Sequence, residues 1–410
     1  MEKVLMKKTA LVNGKIITPL RLIEDGTIII KDDTIMDFGF KDQTPIPEDA
    51  VVIDVNQAYI SPGFIDLHIH GSWGGDVMSA SEDDLVKMAT GLVKCGVTSF
   101  LPTTLSGSLT ELRKIATCVE EMRKVNGGAK LIGLHLEGPY LNLKQVGAQN
   151  PKYIIRPNPA DYLPLFTEYS CIKRVSAAPE IPGGMELGRE LKRRGIIASI
   201  AHSNAVYQEV LAAVENGYTH ATHIFSGMSS VQRVEAYRVT GVLESVLLLE
   251  ELTTEIIADG HHLPPSLIRL VLKSKGLDRV CLVTDAMSAA GLGPGDYNLG
   301  GLEVVVEDLV PEIFEIKTQK GNYVAKLSDR SAFASSVATM DRMIRNMVEF
   351  VGLNLPEAVR LATINPARMQ KLDHQVGVIA KGMKADLTVF NTEVDILLTM
   401  VDGQVVYKNK

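Results

Sequence analysis

The sequence predicts an α/β protein: a (β/α)8 TIM-like barrel carrying a small β-sandwich domain built from both termini. Short apolar runs recur along the 410 residues, and each delivers a side chain able to bind a metal or move a proton at its C-terminal end. Those side chains are His68 and His70, Glu137, His202, His223, the pair His261-His262, and Asp285. Amphipathic stretches of helical period separate the runs, whereas the two ends of the chain are rich in strand and turn signals. Parallel strands buried by helices on both faces read as nearly continuous apolar runs, and a barrel gathers its chemistry where those strands end.

Residues 1–58 are rich in Val, Ile and Thr, with turn signals at Asn13-Gly14, Asp25-Gly26 and Lys31-Asp32-Asp33. They predict a hairpin over 11–17 and a strand over 26–30. Barrel strands are expected over 59–70, 98–104, 130–137, 175–180, 197–205, 221–225, 253–260 and 281–286. Helices are expected over 81–95, 109–126, 185–194, 205–216 and 265–275. The glycine-rich, β-like stretch 294–330 reads as an insertion after the eighth strand, followed by closing helices over 337–351 and 356–369. Strands over 385–390 and 397–407, broken at Asp402-Gly403, complete the small domain. The predicted division is therefore 1–58 with 371–410 as the small domain, and 59–370 as the barrel.

Composition narrows the function classes. Hydrophobic residues make up 46% and charged residues 22% of the chain, as in a soluble globular protein and unlike a disordered one. A formal net charge of −7 gives no support for nucleic-acid or anionic-membrane binding. Cys95, Cys118, Cys171 and Cys281 lie far apart with no CxxC pair, which suggests neither a disulfide framework nor a structural zinc site. A reducing cytoplasm is the expected compartment. Residues 1–8 lack the apolar core of a signal peptide, and no run approaches the ~18 apolar residues of a membrane span.

Side chains two apart on a strand point the same way, so His68 and His70 face together into the barrel mouth. Glu137, His202 and His223 supply one carboxylate and two imidazoles, a ligand set that zinc or ferrous iron accepts with room for water. His135, one step deeper than Glu137, and His220 read as structural; His374 reads as a surface residue. Asp285 can take a proton from an activated water and pass it to a leaving amine. Either His261 or His262 can polarise a carbonyl, and spacing does not choose between them. Gly71-Ser72-Trp73-Gly74-Gly75 reads as a turn rather than a phosphate-binding loop.

Several segments resemble N-acetylglucosamine-6-phosphate deacetylases of the amidohydrolase superfamily. They are Pro62-Gly63-Phe64-Ile65-Asp66, His135-Leu136-Glu137-Gly138-Pro139-Tyr140-Leu141-Asn142, His202-Ser203-Asn204-Ala205, Thr222-His223, Ile257-Ala258-Asp259-Gly260 and Val283-Thr284-Asp285-Ala286, with Pro366-Ala367-Arg368 and Gly382-Met383-Lys384-Ala385-Asp386-Leu387 near the end. The resemblance spans essentially the whole chain. It implies that Glu137, His202 and His223 hold the main divalent metal, zinc or iron, and that His68 and His70 allow a second ion. It also implies that Asp285 is the catalytic acid/base, that His262 contacts the substrate, and that the protein is a homodimer.

By the same resemblance, substrate contacts are expected from Ala148, Gln149, Ser226, Gly227 and Arg238, with Arg233 as the alternative cation, and from the loop bearing Phe333, Ala334 and Ser335. Relatives commonly carry histidine where Gln149 aligns, and Asn-Ala where Ser226-Gly227 stands. The expected reaction is metal-dependent removal of the N-acetyl group of an N-acetylhexosamine 6-phosphate, most simply N-acetylglucosamine 6-phosphate. The departures leave N-acetylgalactosamine 6-phosphate, or another N-acyl or cyclic amide, as the alternative substrate. A catalytically inactive scaffold is the remote one.

Overall fold

The computed structural model describes residues 8–123, 127–308 and 323–409. The expected helix end at 124–126, the middle of the insertion at 309–322 and the stretch 1–7 lie outside the described residues.

Eight parallel strand positions form the central sheet. In order they are Phe64–Ile69, Val97–Thr104, Leu134–Glu137 (preceded by the short Lys130–Leu131), Ile172–Ala177, Ile197–Ile200, Tyr218–Ala221, Thr253–Ile256 and Val280–Leu282. Each pairs in parallel with the next. The ring closes between its ends, where the Asp285 N–H donates to His68 O at 2.8 Å and Ile69 bridges Ala286. Helices cover the outside. The Leu109–Met122 helix starts on a capping box, with the Ser108 hydroxyl on the Glu111 amide and the Glu111 carboxylate returning to Ser108. The Gly184–Arg194 helix stops at Gly195, at φ 72°.

Two barrel strands sit earlier than the apolar runs predicted. The fourth is Ile172–Ala177 rather than 175–180, and the sixth is Tyr218–Ala221 rather than 221–225. Each carries a buried polar side chain, Arg174 and His220, so hydropathy alone misplaces it. Two helices escaped the pattern. Pro164 lies inside Pro159–Glu168, and Val242–Leu248 is only seven residues long.

Strands from both termini build one eight-stranded sheet. The Lys8–Ile17 strand is its pivot: its first half pairs with Ala50–Asp54 and its second half with Tyr59–Pro62. Tyr59–Pro62 in turn pairs with the C-terminal strand Leu387–Phe390, so the chain passes from this sheet to the barrel at Gly63. The sheet folds over one core in which Leu11, Ile16 and Ile28 from the N-terminus meet Leu387, Leu398 and Met400 from the C-terminus. Burying a side chain of this size contributes about 1.5–3 kcal/mol.

The hairpin expected over 11–17 is not formed; Lys8–Ile17 is a single strand. Gly14 lies opposite Gly26, and the register shifts on both sides of Gly14. A Cβ on Gly14 would stand 2.4 Å from Ile60 Cδ1. The Asn-Gly and Asp-Gly signals therefore mark paired irregularities within adjacent strands, with Asn13 and Asp25 at φ 56° and 48°, rather than chain reversals.

The insertion forms a three-stranded antiparallel sheet, Gly295–Leu299, Leu302–Asp308 and Tyr323–Leu327. It packs its own small core, in which Leu299, Val304 and Ala325 meet Leu105, Met287 and Ala334. The four cysteines are buried and unpaired. Among the described residues no helix is long and apolar enough to cross a membrane.

Candidate active site

Six side chains predicted from five barrel strands converge at one end of the ring. His68, His70, Glu137, His202, His223 and Asp285 are each no more than 7% exposed. Glu137 is the shared member of two ligand-type groups, His68/His70/Glu137 and Glu137/His202/His223, each with donor atoms within 4.8 Å of one another. Its Oε1 stands 2.9 Å from His223 Nε2 and 3.4 Å from His202 Nε2. Its Oε2 stands 3.4 Å from His70 Nε2 and 3.7 Å from His68 Nε2. Asp285 Oδ1 lies 3.0 Å from His70 Nε2 and 3.5 Å from His68 Nε2.

The other nitrogen of each ring fixes what Nε2 can be. His70 Nδ1 faces the Thr103 carbonyl at 3.1 Å, His202 Nδ1 the Gln145 carbonyl at 2.7 Å, and His223 Nδ1 the Ser226 carbonyl at 3.2 Å. His68 Nδ1 faces Glu255 Oε1 at 2.7 Å. A carbonyl or carboxylate oxygen only accepts, so each Nδ1 carries the proton, and each neutral ring presents a bare Nε2 lone pair. Four such lone pairs then face two carboxylates, and His68 and His70 bring their Nε2 atoms within 3.3 Å of each other. Acceptors crowded against acceptors in a dry site require positive charge between them, either protons or a cation. Without a cation, burial lowers the His70 pKa, but Asp285 and Glu137 outweigh it and push it up to about 9. The donor set thus fits a divalent metal, and the shared Glu137 suits one ion or two.

Backbone geometry aims these groups. His202, His223 and Asp285 follow their strands at φ 44°, 24° and 45°, a region costing non-glycine residues of order 1–3 kcal/mol each. The sharp turn sends each side chain toward the barrel axis. Gly227, at φ 57°, lies against His202: a Cβ there would stand 2.7 Å from its Nδ1.

A cavity of about 190 Å³ opens above this cluster. Of the expected substrate contacts, Ala148, Gln149, Ser226, Gly227, Phe333, Ser335 and His262 line it. Ala334 does not, because it is fully buried in the insertion's core. Arg238 does not line it either: it lies exposed on a two-stranded hairpin, opposite Arg233. Gln149 proves to be bound from both ends, donating to Glu137 Oε2 and accepting from the Ser106 N–H, each at 2.7 Å.

The structure separates the two adjacent histidines. His262 faces the cavity with Nδ1 on Asp259 Oδ2 at 2.8 Å, while His261 Nε2 meets the Arg342 guanidinium at 3.2 Å. His135 is satisfied by Thr103 and Ser176, and His220 by Thr253 and Glu255, both buried. His374 is exposed. The 71–75 stretch is a tight two-stranded turn.

Residues 59–406 match the model of the amidohydrolase family. The chain belongs to the amidohydrolase family. Among its relatives, an N-acetylglucosamine-6-phosphate deacetylase of Lysinibacillus sphaericus is 33% identical over 85% of each chain. An N-acetylgalactosamine-6-phosphate deacetylase of Escherichia coli O157:H7 is 31% identical over 88% of this chain and 90% of that one. The crystal structure of an N-acetylglucosamine-6-phosphate deacetylase from Pasteurella multocida superposes with a TM-score of 0.87, at 29% identity, covering 98% of this chain and all of the other.

This amidohydrolase also holds groups that the sequence did not single out. Glu255 and Arg174 form a buried ion pair at 2.6 Å beneath the site, and Asp259 orients His262. The available signal was a charged residue inside an otherwise buried strand, a placement that needs a partner.

Proposed function

We propose that this amidohydrolase hydrolyses the N-acetyl group of an N-acetylhexosamine 6-phosphate, most simply N-acetylglucosamine 6-phosphate, to acetate and the amino-sugar phosphate. The observation that carries the reading is the convergence of four bare Nε2 atoms on Glu137 and Asp285 at the floor of the cavity. Glu137, His202 and His223 would hold the main ion, and His68 and His70, with Glu137, a second. A divalent cation, zinc or iron, supplies Lewis acidity there, making hydroxide available near neutral pH and polarising a carbonyl.

The chain's own groups do the rest. Asp285 takes the proton from the attacking water and delivers it to the amine nitrogen as the C–N bond breaks. His262, oriented by Asp259, donates from Nε2 to the oxygen on which negative charge develops. Phe333, with its ring 5.0 Å from that of His262, forms part of the cavity wall. Among the described residues none of 8–58 or 371–409 lines the cavity, in keeping with a division of the chain into a chemical barrel and a supporting domain.

We further propose a cytoplasmic homodimer in which the hairpin bearing Arg233 and Arg238 supplies the phosphate-binding cation to the partner's cavity. Among the described residues no lysine or arginine lines the cavity, while the hairpin exposes Arg238 and Tyr237, the latter at 75%. The galactosamine epimer is the second reading, favoured by the Escherichia coli relative.

The deciding measurement is acetate release by metal-loaded protein from N-acetylglucosamine 6-phosphate, N-acetylgalactosamine 6-phosphate, their unphosphorylated forms and an N-acetyl amino acid. Removal of the ion by a chelator should abolish turnover, and re-addition should restore it. Release from none of the sugars would end the reading, and preference for the galacto epimer would select the second.

A further inference from the structure

The Glu255–Arg174 pair lies in the barrel interior below the cavity, with both side chains essentially inaccessible. The reaction as described uses neither residue. Removing two charges from water is costly, and such a pair is weak evidence for stability in itself. What distinguishes this pair is how the two oxygens of Glu255 are divided. Oε1 accepts from His68 Nδ1 at 2.7 Å and from the His223 backbone N–H at 3.2 Å. Oε2 accepts from Arg174 Nη1 at 2.6 Å and from His220 Nε2 at 3.2 Å. One oxygen therefore faces the site and the other faces its support. Arg174 is itself steadied by Nη2, which donates to Thr222 Oγ1 at 3.0 Å, and Thr222 is the residue before His223.

We infer that Glu255 is a positioning residue whose Oε1 sets the tautomer and orientation of His68 and anchors the backbone of His223, tying one ligand of each proposed ion group to a single buried carboxylate. The inference rests on the metal reading above. His68 is the one histidine of the four whose Nδ1 meets a carboxylate rather than a carbonyl, so its lone pair is the most strongly directed. Arg174 holds the carboxylate from behind and offsets its charge, and Thr222, Ser199 and Ser176 fill the remaining polar space.

The test compares two double variants that both lack the ion pair and differ only in whether an oxygen faces His68. Arg174→Met with Glu255→Gln retains an acceptor; Arg174→Met with Glu255→Leu removes it. Each is stripped of metal and titrated with Co(II), with visible absorption reporting ligand geometry and circular dichroism reporting the fold. Positioning predicts that the Leu variant binds at least one ion about 10–100-fold more weakly than the Gln variant, with an altered Co(II) spectrum. Equal affinities and spectra in the two variants would overturn the proposal. So would failure of both to fold at saturating Co(II), which would make the Arg174–Glu255 pair a requirement for folding rather than a positioning device. Wild-type protein that binds no Co(II) would instead overturn the metal reading itself.

Discussion

Gln149 holds Glu137 by the oxygen that points at His70: its Nε2 stands 2.7 Å from Glu137 Oε2, and its own Oε1 accepts the Ser106 amide at the same distance. A residue expected to meet the substrate is thus committed to the carboxylate shared by both ligand groups. Gln149→Leu keeps the volume but removes the donor. The expected result is a rise of about 10–100-fold in the ion's dissociation constant, measured by chelator competition. The unpaired Ser106 N–H should lower stability by about 1–3 kcal/mol. Unchanged ion affinity would show that Glu137 orients itself.

Asp285→Asn keeps the shape of the side chain and loses the base. The expected outcome is a fall of about 10²–10⁴-fold in acetate release, with ion content by elemental analysis close to wild type. Full turnover with the ion still bound would remove Asp285 from its assigned role.

A pH dependence follows from His262. Burial lowers its pKa, and the charge and hydrogen bond of Asp259 outweigh that and raise it above the ordinary histidine value. With Nδ1 on Asp259, the ring carries an Nε2 proton only as the imidazolium. Donation to a developing oxyanion is therefore available below the raised pKa and lost as pH climbs through it. Asp259→Asn leaves burial opposed only by the smaller effect of the Asp285 charge, so the basic limb of the kcat/KM profile should move to lower pH. A limb that stays in place would assign it to another group.

The hairpin bearing Arg238 gives a substrate-selective prediction. Arg238→Ala should raise KM for a 6-phosphorylated N-acetyl sugar about 10-fold or more, on the scale of a lost charge-assisted contact, and leave unphosphorylated sugars unaffected. Sedimentation should give a dimer. A monomer whose KM is insensitive to Arg238 would place the phosphate elsewhere.

The sequence made the candidate ligand residues legible because each ends an apolar run with a polar side chain, and buried strands rarely tolerate that without purpose. The same criterion failed on Arg174 and Glu255: both lie inside strands and interrupt the apolar pattern, and Arg174 also shifts its apparent strand by three residues. The turn signals at Asn13-Gly14 and Asp25-Gly26 misled for a different reason. Left-handed backbone serves a reversal and a bulge equally well, and only the partner strand decides between them. Gln149 was found, yet its engagement with Glu137 depends on a loop fold that residue spacing does not encode. The two epimers of the substrate remain a matter of cavity shape, set by side chains from the barrel loops and the inserted sheet together.

The seam of the ring has a consequence for biosynthesis. Its first and last strands meet where the Asp285 amide reaches the His68 carbonyl, more than two hundred residues apart in the chain. A nascent polypeptide carries His68 and His70 long before it carries Asp285, and the partners that hold those imidazoles apart arrive one strand at a time. Every proposed ion ligand has been made once His223 is added, yet Asp285 and the hydrogen bond that shuts the ring come later, so a truncated product still on the ribosome is without the finished catalytic centre.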